Sequence, residues 1–520
     1  MARPGFVLEV DDRTPSLVVP DGDAFRLERF PLGTRVVYPA ESLAPVPDVT
    51  EAVNAALDAP LDSEPLTALL RPGMRLVLAF DDFTTPLPQM ARPDIRGRIL
   101  EAVLRRAAQA GVDDVRLVAA RGLHRRMTEA ELQLVLGERV FRSFFADGLL
   151  TSHDADDADQ LTAVGSLDGV ELGLNAAAAS ADLLVFVHLA GSGGNGARAV
   201  TAGLGSTATI SQAVPDPSRE PGALDDIGAI AGSGALPEQV TRGLNVFQIE
   251  AVLDNAAVAP PLLLLGKREW EWNLKDQAAW LALHRGLALT STKARRRLLG
   301  SATSNYAPIQ VTAGAPAAVA RASDAKVLAQ RLVEVQGQAD VAVVGVPHAT
   351  PYSLGSVTNP ILAAWSALGS AFAAHTGRPV VRAGGALILY SPMTEEFSSL
   401  HHPSYVDFFT DALASTTDAV QLQEKFEATY AGDPWYSHLY RTSYAFHGVH
   451  PFHLWYEMAA ARDHCGDIIC VGGHRPTVER LGLRAASTLA DALEIVSSTV
   501  GRSPSITYLR NAPQLVADVR

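Results

Sequence analysis

The sequence predicts an α/β protein with two α/β domains, mostly parallel sheets and a crevice between the domains. Its 520 residues are far more than one hydrophobic core usually serves, which predicts at least two domains. Hydrophobic residues make up 48% of the chain and charged residues 19%, so large cores can form. Short apolar segments alternate with segments of helical periodicity, an order that produces parallel sheets through right-handed crossovers.

The first domain is expected to cover residues 1–310. It begins with short strands separated by Pro, Asp and Gly turns, at 6–10, 16–19 and 34–38, and a helix at 49–57. The apolar pattern then predicts, in order, a strand at 75–80, a helix at 95–110, a strand at 115–120, a helix ending near 135 and a strand at 183–187. Thr128 and Glu131 form a capping box for the helix that ends near 135, so the segment before it is a loop.

The second domain is expected to cover residues 325–520. The segment 312–325 is rich in Ala, Gly and Pro, and we place the domain boundary there. The later pattern predicts strands at 341–346, 386–390 and 468–471 and a helix at 361–373. The last segment of the chain could instead pack back on the first domain.

Composition argues against several classes of function. A net charge of −14 argues against a broad nucleic-acid surface. The N-terminus lacks a signal-peptide pattern, and no stretch approaches the roughly 18 to 20 apolar residues of a membrane-spanning helix. Cys465 and Cys470 are too few for a disulfide framework and are expected to be ordinary buried residues. We therefore expect a cytoplasmic protein that acts on a small-molecule substrate and binds neither nucleic acid nor membrane, with an oligomeric state that the sequence leaves open.

Candidate functional residues follow the predicted strands of the first domain. In a parallel sheet, such residues gather at the carboxyl ends of the strands. Asp82, His124 and His188 each follow a different predicted strand. A neutral imidazole can accept a proton near pH 7, and two of them on opposite sides of a carbon can serve both faces. We expect His124 and His188 to be catalytic acid/base residues, although a lone histidine at a strand end can also be structural.

A glycine-rich loop, residues 191–196, comes after the predicted strand at 183–187 and His188. Such loops let a backbone approach a phosphate at a helix N-terminus. A dinucleotide site would also need an acidic residue at the end of a second strand, and the next acid in the chain is Asp216, beyond a Thr/Ser/Ala run. The loop is therefore interpreted as a turn or as a contact for a different phosphate-bearing ligand.

Several motifs occur in the order and spacing of a known domain. They are Asp82-Phe-Thr-Thr-Pro-Leu-Pro88, Gly122-Leu-His-Arg-Arg-Met-Thr-Glu129, His153-Asp154, Gly173-Leu-Asn175 and the segment from His188 to Ser206. Over about its first 260 residues the chain resembles the N-terminal domain of the nickel-dependent lactate racemase family. The resemblance implies a racemase or epimerase of 2-hydroxy acids that holds a nickel pincer nucleotide.

The resemblance also implies roles for individual residues. By position, His124 and His188 match the two histidines that act as alternating bases in the family. Cofactor contacts are implied for six residues, namely Asp82, Thr84, Thr85, Gly193, Gly194 and Arg198.

Other positions depart from the family pattern. The lysine that bonds covalently to the nucleotide is replaced by Arg198, whose guanidinium is permanently charged and is no amine nucleophile. The nickel-ligating histidine is replaced by Val214, which has no ligand atom. The family's Asp-x-Thr-Arg motif ends in Thr85 and loses a guanidinium, and Leu362 and Trp365 fall where the family has Gln and Lys.

These departures leave two alternatives. Either the nucleotide binds without a covalent link, with Arg198 on its phosphate and nickel on another histidine such as His348, His401 or His402, or the scaffold supports different chemistry. The segment His401-His402-Pro403 is expected to be an exposed loop rather than a metal site, and we assign no metal ligand.

The main hypothesis is an isomerase of a small 2-hydroxy acid or related polar substrate with a two-histidine acid/base mechanism. The alternatives are a cofactor-independent lyase or dehydratase on the same scaffold, and a non-catalytic ligand-binding homologue. Nickel content and a pyridinium absorbance would distinguish the cofactor-dependent enzyme from the other two.

Overall fold

The computed structural model describes residues 6–191, 194–217, 235–512 and 514–520. In chain order its strands are β1 (Val7–Glu9), β2 (Leu17–Gly22), β3 (Ala24–Glu28), β4 (Arg35–Val37), β5 (Arg75–Asp81), β6 (Gln89–Met90), β7 (Asp114–Ala120), β8 (Leu150–Ser152), β9 (Leu161–Leu167), β10 (Val170–Asn175), β11 (Leu183–Leu189), β12 (Val246–Leu253), β13 (Thr303–Ser304), β14 (Pro308–Gly314), β15 (Leu332–Val335), β16 (Ala339–Pro347), β17 (His375–Gly377), β18 (Val381–Tyr390), β19 (Asp467–Val471), β20 (Arg484–Ala486), β21 (Ile506–Leu509) and β22 (Val516–Val519).

The α-helices of the described residues, in chain order, are α1 (Val49–Asp58), α2 (Leu66–Leu69), α3 (Ile95–Gln109), α4 (Glu129–Leu136), α5 (Glu138–Phe145), α6 (Ala176–Ala179), α7 (Ala197–Leu204), α8 (Thr207–Ser211), α9 (Ala235–Thr241), α10 (Leu274–Leu289), α11 (Thr292–Gly300), α12 (Pro316–Arg331), α13 (Pro360–Trp365), α14 (Pro403–Asp407), α15 (Leu413–Ser415), α16 (Ala419–Leu422), α17 (Ala428–Ala431), α18 (Pro434–Thr442), α19 (His450–Glu457), α20 (Ala459–His464), α21 (Arg475–Arg480) and α22 (Leu489–Val500). Segments of π-helix extend this set at Ser366–Ala371, Phe408–Ala412 and Gln423–Glu427.

The first large sheet carries the candidate site. Among the described strands its order is β14-β12-β11-β5-β7-β8, and every neighbouring pair is parallel except β12 with β14. The central strands β5 and β11 are nearly continuous apolar runs, as expected for strands that are covered on both faces. The predicted α/β class with mostly parallel sheets is confirmed.

The second large sheet combines the later half of the chain with its first described residues. Its order is β1-β4-β21-β16-β18-β19-β20, with β2 paired to β16 and β3 paired to β2. Residues 7–37 therefore join this sheet, although the sequence analysis placed them in a domain of residues 1–310. Short strands joined by turns carry no signal for the sheet that they enter, because the hydrogen-bonding partner is distant in the chain: Arg35 of β4 pairs with Thr507 of β21.

The segment suggested as a domain boundary forms regular structure. Strand β14 and helix α12 lie there, and α12 begins with Pro316 at its first position. Proline is tolerated at the first position of a helix, and alanine is the best helix former, so this Ala- and Pro-rich composition encodes a helix. Helix α12 packs on β12 and β14 of the first sheet, and the chain enters the second sheet only at β16.

The histidine segment before α14 is buried, so the prediction of an exposed loop at His401-His402-Pro403 is wrong. His401 is 8% exposed and His402 is fully buried. The ring of His402 stacks on Phe446, and its Nε2 lies 3.1 Å from the carbonyl oxygen of Tyr352. Aromatic side chains that are distant in sequence cover this segment.

Two further features concern the chain as described. No helix among the described residues has the length and apolar character needed to cross a membrane. Cys465 and Cys470 are buried free thiols, and burial raises the pKa of each to about 12.

Candidate active site

The candidate site begins with two consecutive aspartates at the carboxyl end of β5. Ala79 packs in one hydrophobic core of the first domain, and Phe80 packs in the core on the other face of the sheet. Successive side chains of a strand point to opposite faces, which places Asp81 on the side of Ala79 and Asp82 on the side of Phe80. The two carboxylates therefore leave the strand in different directions.

Asp82 holds His124. Its Oδ2 lies 2.7 Å from Nδ1 of His124, and its Oδ1 accepts hydrogen bonds from the Thr84 backbone N–H at 3.0 Å and hydroxyl at 2.5 Å. Burial raises the pKa of the Asp82 carboxyl, but His124 and Thr84 outweigh burial and hold this pKa below its usual value. An ionised Asp82 fixes the proton of a neutral His124 on Nδ1, so Nε2 is the basic nitrogen.

His124 stands on the loop after β7, where close packing fixes the backbone. Gly122 has φ +49°, and a Cβ at this position would clash with the carbonyl oxygen of Ala202. The guanidinium of Arg121 donates to the carbonyl oxygens of His153 and His124, both at 2.6 Å. These contacts hold the loop in one conformation.

Tyr440 of the second domain forms hydrogen bonds with the same loop and with Ala155. Its hydroxyl donates to the carbonyl oxygen of Gly122 at 2.5 Å and accepts from the N–H of Ala155 at 3.1 Å. Its ring lies 3.7 Å from the guanidinium carbon of Arg121, a cation–π contact. The position of His124 therefore depends on both domains.

The ring of His124 faces an aromatic wall from the second domain. Its centroid lies 5.0 Å from that of Tyr352, 5.4 Å from that of His450 and 6.1 Å from that of Phe446. Burial, aided by the neighbouring histidines, lowers the pKa of His450 far below its ordinary value, so this wall is neutral. The His124 side chain is 28% exposed, and Nε2 has no hydrogen-bond partner within the described part of the chain.

Asp81 holds His188, which lies inside β11 rather than after it as the sequence suggested. His188 Nδ1 is 2.8 Å from Oδ2 of Asp81, and Nε2 is 3.1 Å from Oδ1 of Asn195. Burial opposes the imidazolium, but the carboxylates of Asp81 and Glu250 outweigh burial and raise the pKa of His188 to about 9. His188 is therefore charged at neutral pH.

Of the residues expected to contact a cofactor, Thr84 lies in contact with the Asp82 carboxylate that binds His124. The hydroxyl of Thr84 donates a hydrogen bond to Asp82, and Thr85 is the next residue in the chain. Gly194 has φ +97° and borders the loop before α7, whereas Gly193 lies outside the described residues. Arg198 is half-buried in the first turn of α7.

Part of the chain is similar in sequence to known proteins. Residues 28–214 match the family model of the lactate racemase N-terminal domain. Over 168 residues the chain is 29% identical to the lactate racemase of Lactiplantibacillus plantarum (strain ATCC BAA-793 / NCIMB 8826 / WCFS1). The N-terminal part of the chain is therefore similar to the lactate racemase N-terminal domain.

The overall fold is also similar to that of a solved lactate racemase. The lactate racemase apoprotein from Thermoanaerobacterium thermosaccharolyticum aligns with a TM-score of 0.62 at 16% identity, over 97% of this chain and 100% of that one. The match to the Lactiplantibacillus plantarum enzyme covers 31% of this chain and only 37% of that enzyme. This similarity therefore leaves the reaction, the substrate and the cofactor of this chain to be tested.

The two cofactor-anchoring positions do not fit a lysine-tethered, histidine-ligated nickel nucleotide. Arg198 offers no amine nucleophile, and Val214 packs against the hydrophobic core of the second domain. Within the residues that the structure describes, no group of three His, Cys, Asp or Glu side chains is arranged to hold a metal ion. Arg198 and Val214 thus cannot supply the covalent link and the metal ligand that the sequence resemblance implies at these positions.

Several residues of the site escaped the sequence analysis. Asp81 had a usable signal, because an Asp-Asp pair at the end of a buried strand must send one carboxylate to each face. Asn195 lies in the glycine-rich loop, whose composition does not indicate the side-chain hydrogen bonds of Asn195. Tyr440 and Asp324 had no local signal, since their partners are far away in sequence.

Proposed function

We propose that this chain is an isomerase, a racemase or epimerase, of a small 2-hydroxy acid or related polar substrate. His124 and His188 are its acid/base residues. The observation that supports this proposal is the pair of consecutive carboxylates, Asp82 and Asp81, each of which contacts Nδ1 of a different histidine. A two-base isomerase needs two such oriented groups, because one residue removes a proton from one face of a carbon while the other returns a proton to the opposite face.

His124 is the base in this proposal. Asp82 keeps the proton of its neutral ring on Nδ1, so the partly exposed Nε2 accepts a proton from the substrate. His188 is the acid, because both of its ring nitrogens face hydrogen-bond acceptors. After one turnover the two rings have exchanged states, and the enzyme is ready for the reverse reaction or returns to its starting state by proton exchange with water.

A cofactor-independent lyase or dehydratase is the second candidate. It is favoured by the replacement of both cofactor anchors, by Arg198 and Val214, in a site that keeps its two histidines. Elimination of water from a hydroxy acid needs one base and one acid but no hydride acceptor. His124 would then remove a proton from carbon, and His188 would protonate the departing hydroxyl group.

The two candidates give different products from the same starting material. Purified protein is incubated with single enantiomers of small 2-hydroxy acids. The products are separated by chiral chromatography, and their molecular masses are determined by mass spectrometry. We expect an isomer of unchanged mass. A product that is lighter by one water would support the lyase, and no product from any member of the panel would contradict both candidates.

The histidine variants test the proposed mechanism. We expect His124→Ala and His188→Ala each to remove the interconversion of enantiomers, whereas His438→Ala, a change of an exposed histidine on α18, leaves it intact. Full activity in the double variant of His124 and His188 would overturn the proposal.

A further inference from the structure

The hydrogen bonds around Nε2 of His188 fix where protons must lie. Oδ1 of Asn195 accepts from the backbone N–H of Gly191 at 3.1 Å, and Nδ2 of Asn195 donates to Oδ1 of Asp324 at 2.6 Å. Reversing the amide would place two donors, or two acceptors, against each other at both contacts. The oxygen of Asn195 therefore faces His188, and Nε2 at 3.1 Å must carry a proton to bond with it.

The hydrogen-bond partners of Nδ1 likewise require a proton on that nitrogen. Nδ1 of His188 faces the carboxylate of Asp81 at 2.8 to 2.9 Å, and Oδ2 of this carboxylate also accepts from the N–H of Leu189 at 2.7 Å. An ionised carboxylate has only acceptors, so Nδ1 must carry a proton as well. A ring with a proton on both nitrogens is an imidazolium.

Carboxylates on three neighbouring elements favour the imidazolium form of His188. Asp81 lies on β5, Glu250 lies directly beside His188 on β12, and Asp324 lies on α12 behind Asn195. Glu250 is fully buried, and its Oε1 accepts from the N–H of Gly196. Cations in this region include Arg331 of α12, whose guanidinium is directed at the carbonyl oxygen of Gly191, and Arg96 of α3, which interacts electrostatically with Asp81. The carboxylates of Asp81 and Glu250 nevertheless outweigh burial and raise the pKa of the ring.

We propose that Asn195, oriented by Asp324, is a positioning residue that keeps His188 doubly protonated and so determines which histidine begins the reaction as the acid. Asp324 acts through Asn195 and has no contact with substrate in this scheme. The assignment of an acid role rests on the proposed function, but the charge of His188 can be measured without any turnover. The two ideas can therefore fail separately.

The protonation state of His188 is measured from the NMR signals of its ring nitrogens. Full-length protein labelled with 15N-histidine is titrated by NMR, and the His188 signals are assigned by their loss in His188→Gln. We expect both nitrogens of His188 to be protonated at neutral pH. In Asn195→Ala, proton binding by His188 should weaken by about tenfold, the size expected for the loss of one hydrogen bond to a charged group.

Asp324→Asn tests the positioning pair without altering the ring's direct partners. Since an amide at position 324 can also donate, only the N–H of Gly191 then opposes reversal of Asn195, and proton binding by His188 should weaken in the same direction as in Asn195→Ala. The double variant should show no further weakening, because both changes act through the same bond. Asp62→Asn is the matched control: it removes an exposed carboxylate that pairs with Arg321 of α12.

The outcomes are distinct. A neutral His188 in the unaltered protein at pH 7.5 would overturn the proposal, as would an unchanged titration in Asp324→Asn or equal effects in Asp324→Asn and Asp62→Asn. If Asn195→Ala does not fold, Asp324→Asn still decides, since Asp324 lies on an exposed position of α12. An imidazolium that behaves as expected in a protein without isomerase activity would support the proposal while contradicting the function.

Discussion

Asp81 and Asp82 are neighbours in the chain, yet each carboxylate holds a different catalytic candidate. Asp81 lies 2.8 Å from Nδ1 of His188, and Asp82 lies 2.7 Å from Nδ1 of His124. Because the strand sends the two carboxylates in different directions, the histidines share no carboxylate. Each histidine can thus be perturbed without direct change to the other, and the predictions below use this separation.

Asp82→Asn should inactivate His124 as a base. The amide can donate an N–H to Nδ1, which favours the tautomer with its proton on Nε2 and removes the basic nitrogen. We expect kcat to fall by roughly 10²- to 10⁴-fold with a small change in KM, as for other histidines that lose an orienting carboxylate. Steady-state kinetics on the substrate found by the enantiomer panel provide the measurement.

The control for this variant lies at the other end of β5. Asp182→Asn changes a half-exposed carboxylate that accepts from the N–H of Arg75 at 2.7 Å, far from either histidine. Its kcat should match that of the unaltered protein. Equal losses in Asp182→Asn and Asp82→Asn would mean that the sheet, rather than the tautomer of His124, had been disturbed.

His188 should make the free energy of unfolding depend on pH on the alkaline side. Its pKa is about 9 in the folded protein, against an ordinary value of 6.5. The folded state then binds more protons, so this stabilisation is complete below about pH 6.5 and is lost as the pH rises through about 9. The full effect is about 3 kcal/mol as an order of magnitude, from about 1.4 kcal/mol per pKa unit.

Urea unfolding measured between about pH 6 and 10 checks this expectation. The decline in stability should be present in the unaltered protein and largely absent in His188→Gln, which keeps a polar side chain but cannot titrate. A decline of the same size in both proteins would assign the effect to other groups.

His402 should give a pH dependence of the opposite kind. Burial lowers its pKa to about 3, because the neutral ring lies against Phe446 and only Nε2 has a partner, the carbonyl oxygen of Tyr352. The unfolded chain takes up a proton near pH 6.5 whereas the folded one does not, so stability falls as the pH drops below about 6.5. His402→Gln should flatten this slope, and His438→Gln, at an exposed position, should leave it unchanged.

The sequence carried enough information to place the strands that bear the site. The apolar runs of β5 and β11 are bounded by turns and polar residues, so their positions and buried character could be predicted. The capping box of Thr128 and Glu131 is present, with the Glu131 carboxylate accepting from the Thr128 N–H at 2.7 Å, and it correctly put His124 on a loop. These features depend on residues close together in the chain.

Features that depend on distant partners could not be predicted. His401 and His402 lie in a short polar segment that is typical of an exposed loop, and only the packing of Phe446 and Tyr352 buries them. The orientation of Asn195 likewise depends on Asp324, which lies on a helix of the region that composition indicated as a domain boundary. Local pattern gives no account of such long-range contacts.

The side chain at position 198 should prevent covalent attachment of a nucleotide. Arginine has no amine nucleophile, so protein co-expressed with the enzymes that make the nickel pincer nucleotide should have the intact mass of the polypeptide alone. Arg198→Lys is the matched variant, because it restores an amine at the same place in α7. An adduct on the unaltered protein would show that another residue serves as the attachment point.

Tyr440 should contribute both to the stability of the protein and to the position of His124. Its buried hydroxyl bonds to the carbonyl oxygen of Gly122 and the N–H of Ala155, and Tyr440→Phe leaves both groups without this partner. We expect a loss of about 1 to 3 kcal/mol in unfolding free energy, together with a kcat that falls more than KM rises, because the loop of His124 loosens. Tyr444→Phe, which removes a hydroxyl from a more exposed ring, is the control for denaturant and kinetic measurements. If Tyr440→Phe unfolds earlier but keeps its full kcat, the hydroxyl stabilises the fold without positioning the base.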